Sequence, residues 1–269
     1  MSLVQLVASF RKITDFYRDR SYVPYSGREG ASVVLLADGQ YVPGVRIENA
    51  SFSLTMSSVQ NALTTAAMIP SSVIVAIYSD QEIDNAEADY IGRFPGMNLK
   101  RFSPELFSNA EPSRLPDPKK VCNPTSHLPP TLLPDSGIAL ARDASHDAVV
   151  HESDFPVGCL LQSDSNVGIP GVNIEHPDWS RMLCAERNAI GTAITFGAGD
   201  IKNVYISAPK DPDASPCGAC RQVLVELAQR ATVWMDRGKN PAMGEPCDQL
   251  LPYYFSGHTI QKPNPLPKR

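Results

Sequence analysis

Between residues 136 and 235 the hydrophobic period of the chain changes several times, and each change predicts an element. Ser136 to Val150 carries a partial apolar stripe at Ile138, Leu140, Ala141 and Ala144, the spacing of a helix. Phe155 to Gln162 is a short apolar run, Ser163-Asp164-Ser165-Asn166 is turn chemistry, and Val167 to Glu175 is apolar again, which predicts a β-hairpin. Cys184 to Phe196 reads as a helix closed by Gly197 and Gly199. Asn203 to Ala208 predicts a strand, Cys217 to Arg230 a helix, and Ala231 to Met235 another strand. Strands alternating with helices predict an α/β layered unit built on a mixed sheet.

Part of this pattern occurs twice. Pro43-Gly44-Val45-Arg46-Ile47-Glu48 returns as Pro170-Gly171-Val172-Asn173-Ile174-Glu175, 127 positions later. At the same offset, Met56 to Leu63 and Leu183 to Ile190 both read as first turns of a helix, with Cys184 falling on Ser57 and Glu186 on Val59. A repeat this long is a duplicated domain and not a solenoid unit. Seven prolines between residues 112 and 134 prevent helix and central strand, so the stretch reads as a linker. The predicted organisation is a first copy over 1–110, a linker over 111–131, a second copy over 132–255 and a tail over 256–269.

Composition narrows the classes. A chain of 269 residues suits two domains of ordinary size, and 42% hydrophobic residues supports packed cores. The net charge of -5, with no basic stripe, argues against a nucleic-acid partner. No apolar run approaches the roughly 18 residues of a membrane-spanning helix. The opening Met1 to Val7 is too soon interrupted by Arg11 and Lys12 for a secretory signal, so a reducing, cytoplasmic setting is expected. There the Cys217-x-x-Cys220 pair reads as metal-binding in preference to disulfide-forming.

Cys184, Cys217 and Cys220 offer three thiolates, which make a zinc site with one coordination position left over. Glu186, two residues from the first, could reach that position without binding the metal. An open position beside a base suits activation of water. Both clusters fall where a loop enters a helix, and helix N-termini favour the thiolate. Arg187 could donate to the same sulfurs and restore Lewis acidity to an anionic centre. A closed structural site is the competing reading, with His176, Cys159 or Cys247 as fourth ligand; otherwise Cys122, Cys159 and Cys247 are ordinary small side chains. The first copy has no cysteine before Cys122 and cannot build the same centre.

Cys184-Ala185-Glu186-Arg187, Ser215-Pro216-Cys217-Gly218-Ala219-Cys220-Arg221-Gln222, Phe155-Pro156-Val157-Gly158, Val172-Asn173-Ile174-Glu175 and Leu250-Leu251-Pro252-Tyr253-Tyr254-Phe255 together resemble the cytidine deaminases. The resemblance is strong over residues 136 to 255. It is weaker over 10 to 110, where Tyr22-Val23-Pro24-Tyr25-Ser26 and Ile47-Glu48-Asn49-Ala50-Ser51-Phe52 carry it. It implies two tandem three-layer α/β/α domains with mixed sheets, and hydrolytic deamination of cytidine and deoxycytidine in pyrimidine salvage. It also implies zinc on Cys184, Cys217 and Cys220, proton transfer by Glu186, ribose contacts from Asn173 and Glu175, and Phe155 against the pyrimidine. Phe255 resembles an aromatic that enters a substrate pocket, often a neighbouring subunit's. By the same analogy the chain forms a homodimer mimicking a tetramer, with two active sites.

The departures are local. Cys159-Leu160 stands where the family continues Ala-Ala, and His176-Pro177-Asp178-Trp179 where Asn-Ala-Ser-Tyr is usual. In the first copy Arg46 replaces the residue equivalent to Asn173, and Arg28 stands near the place of Phe155, so that copy is expected to be degenerate and non-catalytic. In the resembling duplicated form the active copy comes first; here it comes second. Two other classes compete: a deaminase of a nucleotide, a polynucleotide or an aminonucleoside antibiotic, and a non-catalytic zinc-binding descendant. Glu186 argues against the last, since a structural site has no use for it.

Overall fold

The structure is a computed structural model that describes residues 2–262. The chain runs through α1 (Leu3–Arg18), β1 (Ala31–Leu36), β2 (Gln40–Val45), α2 (Ser58–Ala67), β3 (Ile74–Ser79), α3 (Asn85–Arg93), β4 (Lys100–Ser103), β5 (Leu106–Ser108) and β6 (Lys120–Val121). It continues through β7 (Ser126–His127), α4 (Pro134–Ala144), β8 (Gly158–Ser163), β9 (Val167–Val172), α5 (Ala185–Phe196), β10 (Ile201–Ser207), α6 (Gly218–Leu227), β11 (Thr232–Arg237) and β12 (Asn240–Pro246). The strands sort into two mixed sheets, ordered β4-β5-β3-β1-β2-β6 and β12-β11-β10-β8-β9-β7.

Each sheet is covered on both faces, which is why its central strands read as apolar runs and not as alternations. On β8, Cys159 and Leu161 turn toward α5 and α6, while Leu160 turns toward α4 with Ile138, Ala141 and Tyr205. On β1, Val33 and Leu35 meet Leu6 and Phe10 of α1, while Val34 and Leu36 join Val59, Leu63 and Ile91 of α2 and α3. Fully burying one such side chain is worth about 1.5–3 kcal/mol. A one-residue slip would exchange the two sets and is excluded by the mismatch. Three layers, α/β/α, result in each half.

The duplication is visible in the placing of the elements. β1 and β8, and β2 and β9, have bounds offset by 127 positions at both ends, and β3 and β10 start at that offset. Ser57 and Cys184, the N-caps of α2 and α5, are offset equally. So are the bridges Ile47–Met56 and Ile174–Leu183. The copies diverge after the third strand. β3 is followed by α3 and a β4–β5 hairpin that sets β5 antiparallel on β3. β10 is followed by α6 and sets β11 parallel. Cys217 and Cys220 therefore lie in the part that is not shared.

α2 and α5 pack on each other between the two sheets, and both are buried nearly all round. The Thr65 and Thr192 hydroxyls meet at 3.1 Å. Asn61 Nδ2 donates to Val45 O and to Thr195 Oγ1, both at 2.9 Å. Small and polar side chains at this seam let the helices approach closely, and the Asn61 amide nitrogen and both threonine hydroxyls find partners there.

Several element bounds differ from expectation. The helix expected over Ser136–Val150 begins at Pro134, because proline is tolerated in a first turn. It stops at Ala144, where Ser145 Oγ turns back to Arg142 O at 2.7 Å. Strand β8 starts at Gly158 and not Phe155, since residues 152–157 are a loop held by side chains of the next strand's end. The helix expected to Arg230 ends at Leu227. β12, which carries no apolar run to mark it, is a largely exposed edge strand containing two prolines and a glycine, reached through Gly238 at φ 65°. The proline-rich segment supplies one two-residue edge strand to each sheet, β6 on β2 and β7 on β9.

Candidate active site

The site is assembled at two helix N-termini. Cys184 is the N-cap of α5 and Glu186 lies in its first turn. Cys217 is the N-cap of α6 and Cys220 is one turn in. The helices lie side by side on one sheet face, held by Ala189, Ile190, Val223 and Leu224. Their first turns therefore converge, although 33 residues separate the two clusters.

The three sulfurs lie within 4.8 Å of one another, and Cys184 Sγ is 3.8 Å from Cys217 Sγ. Zinc–sulfur bonds of about 2.3 Å at tetrahedral angles put sulfurs about 3.8 Å apart, so the spacing fits that ion. Soft thiolate donors suit the same metal. Hydrogen bonding from Cys184 and Cys220 holds the Cys217 thiol far below its ordinary value. The same bond to Cys217 pushes the Cys184 thiol up to about 12, and Cys220 is likewise raised well above the usual thiol range by Cys184 and Cys217. A dication among the sulfurs is what allows all three thiols to lose their protons together. Among the described residues no fourth His, Cys, Asp or Glu joins the trio. His176 is engaged elsewhere, and Cys159 and Cys247 are buried core residues.

The sulfurs open onto a cavity of about 380 Å³, the size of a small-ligand pocket. Its lining includes Glu186, Phe155, Asn173, Glu175 and Trp179. Glu186 is buried, and burial raises its carboxyl above the ordinary range, with the Cys217 charge adding to the effect. A carboxyl poised higher is better suited to accept and return protons near neutral pH.

Asn173 and Glu175 reach the cavity but already work within the chain. Asn173 Oδ1 accepts from Val157 N at 2.8 Å, and Nδ2 donates to Phe155 O at 2.9 Å. Glu175 accepts from Glu152 N at 2.7 Å and Ser153 N at 3.1 Å, with the Ser153 hydroxyl on its other oxygen. Both side chains shape the loop that presents Phe155. Each keeps spare capacity, a second amide hydrogen on Asn173 and free lone pairs on Glu175.

Two of the residues singled out from sequence do not line this cavity. Arg187 makes no hydrogen bond to sulfur among the described residues; its Nη2 donates to Leu54 O of the first copy at 3.1 Å, because helical phase turns residue 187 toward that copy. Phe255 is exposed and absent from this chain's own cavity lining, its carbonyl accepting from Gln222 at 3.1 Å. Trp179, Ser153 and Ser215, which line the cavity, were not singled out from sequence. The only signal for Trp179 was the departure of the loop carrying it.

The seat of α5 depends on Gly171. A Cβ there would stand 2.4 Å from Ala185 O and 2.5 Å from Ala189 N. Gly171→Ala is expected to cost about 1–3 kcal/mol, read as a lower urea midpoint. It should also lower bound zinc, because Cys184 and Glu186 ride on the helix that must move. Unchanged stability and zinc content would show the contact to be looser than drawn.

The first copy has a smaller counterpart cavity, about 240 Å³, lined by Arg28, Arg46, Ser57, Asp84 and Glu87 among others. Arg46 pairs with Glu48 at 3.3 Å. Glu48 is held by Tyr25 N and Ser26 N, as Glu175 is held by Glu152 N and Ser153 N in the second copy. The loop-holding carboxylate survives there; the sulfurs do not.

A family model described as "Cytidine and deoxycytidylate deaminase zinc-binding region" matches residues 135–236. A cytidine deaminase from Sporosarcina psychrophila is 35% identical over 120 residues, spanning 44% of this chain and 88% of that protein. One from Halalkalibacterium halodurans is 36% identical over 122 residues, spanning 45% and 92%. The crystal structure of cytidine deaminase from Burkholderia pseudomallei superposes with a TM-score of 0.43 at 27% identity, covering 45% of this chain and 98% of that one.

Proposed function

The chain belongs to the cytidine deaminase family and is a zinc-dependent hydrolytic deaminase, and from that premise we propose that it converts cytidine and deoxycytidine to uridine and deoxyuridine with release of ammonia. The observation that carries the proposal is the trio of sulfurs at two helix N-termini, open to a ligand-sized cavity that Glu186 also lines. Cys184, Cys217 and Cys220 would hold zinc, which when bound supplies a Lewis acid able to bring the acidity of water near neutrality. Glu186 takes a proton from water as the water oxygen bonds to C4, delivers that proton to N3 of the base, and then moves the proton of the new C4 hydroxyl to the amine, so that the C4–N bond breaks, ammonia departs and C4 keeps the oxygen as a carbonyl. Phe155 and Trp179 offer apolar walls to the flat base, and Asn173 and Glu175 direct their spare hydrogen-bonding groups toward the sugar.

Residues 132–255 form the catalytic copy in this proposal, and 1–110 a scaffold joined through 111–131. A homodimer of the duplicated chain, working in cytoplasmic pyrimidine salvage, completes it. Among the described residues no helix is long and apolar enough to cross a membrane.

The test is an absorbance assay of cytidine, deoxycytidine, CMP and blasticidin, with metal analysis alongside. Cytidine and deoxycytidine should be consumed by protein carrying one zinc per chain. Full zinc with no loss of cytidine absorbance would refute the substrate assignment, and turnover of CMP or blasticidin alone would redirect it.

A further inference from the structure

We infer that the first copy positions part of the catalytic cavity: Tyr90 and Gln60 clamp the loop between Glu175 and Cys184, and the clamp sets Trp179 against the bound nucleoside. The inference rests on the deaminase proposal above and names a specificity residue and its support within it.

The loop differs between the copies, His176-Pro177-Asp178-Trp179 against Asn49-Ala50-Ser51-Phe52. His176 is only 1% exposed. Its Nδ1 accepts from Asp178 N at 3.0 Å, so in the neutral ring the hydrogen sits on Nε2, which meets Tyr90 O at 3.2 Å. The imidazole also stacks on the Tyr90 ring, with centroids 4.8 Å apart. At the other end of the loop, Arg181 O accepts from Gln60 Nε2 at 3.1 Å, and the Arg181 guanidinium lies 5.7 Å from the Tyr90 ring centroid.

Both ends are thus held by the first copy. Trp179 lies between them, 70% exposed and on the cavity wall. A large aromatic fixed at the edge of a pocket, with most of its surface wet, gains burial when a ring-shaped ligand enters. The arrangement is reciprocal: Ala50 N of the first copy's loop donates to Glu226 of α6 at 2.8 Å. Of these two loops, only that of the second copy opens onto the cysteine-lined cavity.

Fluorescence separates a positioning role from a merely structural one. The chain has two tryptophans, and Trp234 packs near α4 on the opposite sheet face, donating to Asn203 at 3.0 Å. Titrating cytidine into zinc-loaded Glu186→Gln protein should give a saturable change in emission, and Trp179→Phe in that background should abolish it. In the active enzyme Trp179→Phe should raise KM about 3- to 10-fold while leaving kcat within about twofold. Tyr90→Ala should keep full zinc, raise KM and shrink the fluorescence change; Tyr90→Phe should behave as the parent, because ring and main-chain carbonyl remain. Gln60→Ala, a milder change, should shift both readouts the same way and serves if Tyr90→Ala does not fold.

An unchanged emission response or KM in Trp179→Phe overturns the role of Trp179. Parental KM and emission response in the clamp variants overturn the positioning role. A parent protein that turns over cytidine while these variants stay silent overturns the clamp alone. A parent without turnover overturns the deaminase proposal itself.

Discussion

Glu186→Gln is expected to retain one zinc per chain and to lose cytidine turnover by about 10⁴-fold, the upper end for one acid–base group. The upper end applies because the same carboxylate serves more than one proton transfer. Glutamine keeps the size and much of the hydrogen bonding of the side chain but carries no transferable proton. Glu186 is not among the three mutually close metal donors, so the metal should stay. The fold should not suffer either: the carboxylate is buried beside a thiolate, and a neutral amide removes a desolvation cost. Loss of cytidine absorbance and metal analysis on the same preparation check both halves. Turnover within tenfold of the parent would remove Glu186 from the chemistry.

Cys217→Ser is expected to act in the opposite way, through the metal. Serine replaces a thiolate that the helix N-terminus and neighbouring thiols stabilise with a hydroxyl that stays protonated and binds zinc poorly. Two sulfurs remain. Zinc after dialysis should fall to below about a tenth per chain, and turnover should fall with it. Stability should drop as well, because the ion ties the first turns of α5 and α6 together and binds only the folded chain. Cys247→Ala, in the core behind α6 and outside the trio, should leave zinc unchanged and serves as control. Full zinc in Cys217→Ser would mean that the ion sits elsewhere.

How much was legible from sequence differs by element. Helices α5 and α6 were read within a few residues, since each has an apolar face and a clear start. The loop over 152–157 was not, because Phe155 and Val157 look like strand residues until Asn173 and Glu175 are seen to hold their backbone. Arg187 illustrates a different limit. Its neighbours in sequence pointed to the sulfurs, whereas its partner, Leu54 O, lies 133 residues away in the other copy. The clamp on His176 was invisible for the same reason, its partner Tyr90 being 86 residues distant.

By itself the sequence marked three candidate metal donors, a carboxylate close to them and the duplication, because these depend on residue identity and spacing within a turn or two, and on an offset that repeats. The tertiary structure alone decided which polar side chains stay free for a ligand and which are consumed in holding loops. It also decided that the first copy, without cysteines of its own, grips the second at the edge of the cavity. Those outcomes follow from the packing of α2 on α5 and the placing of α3 beside the 176–183 loop, contacts between distant segments that no local pattern encodes.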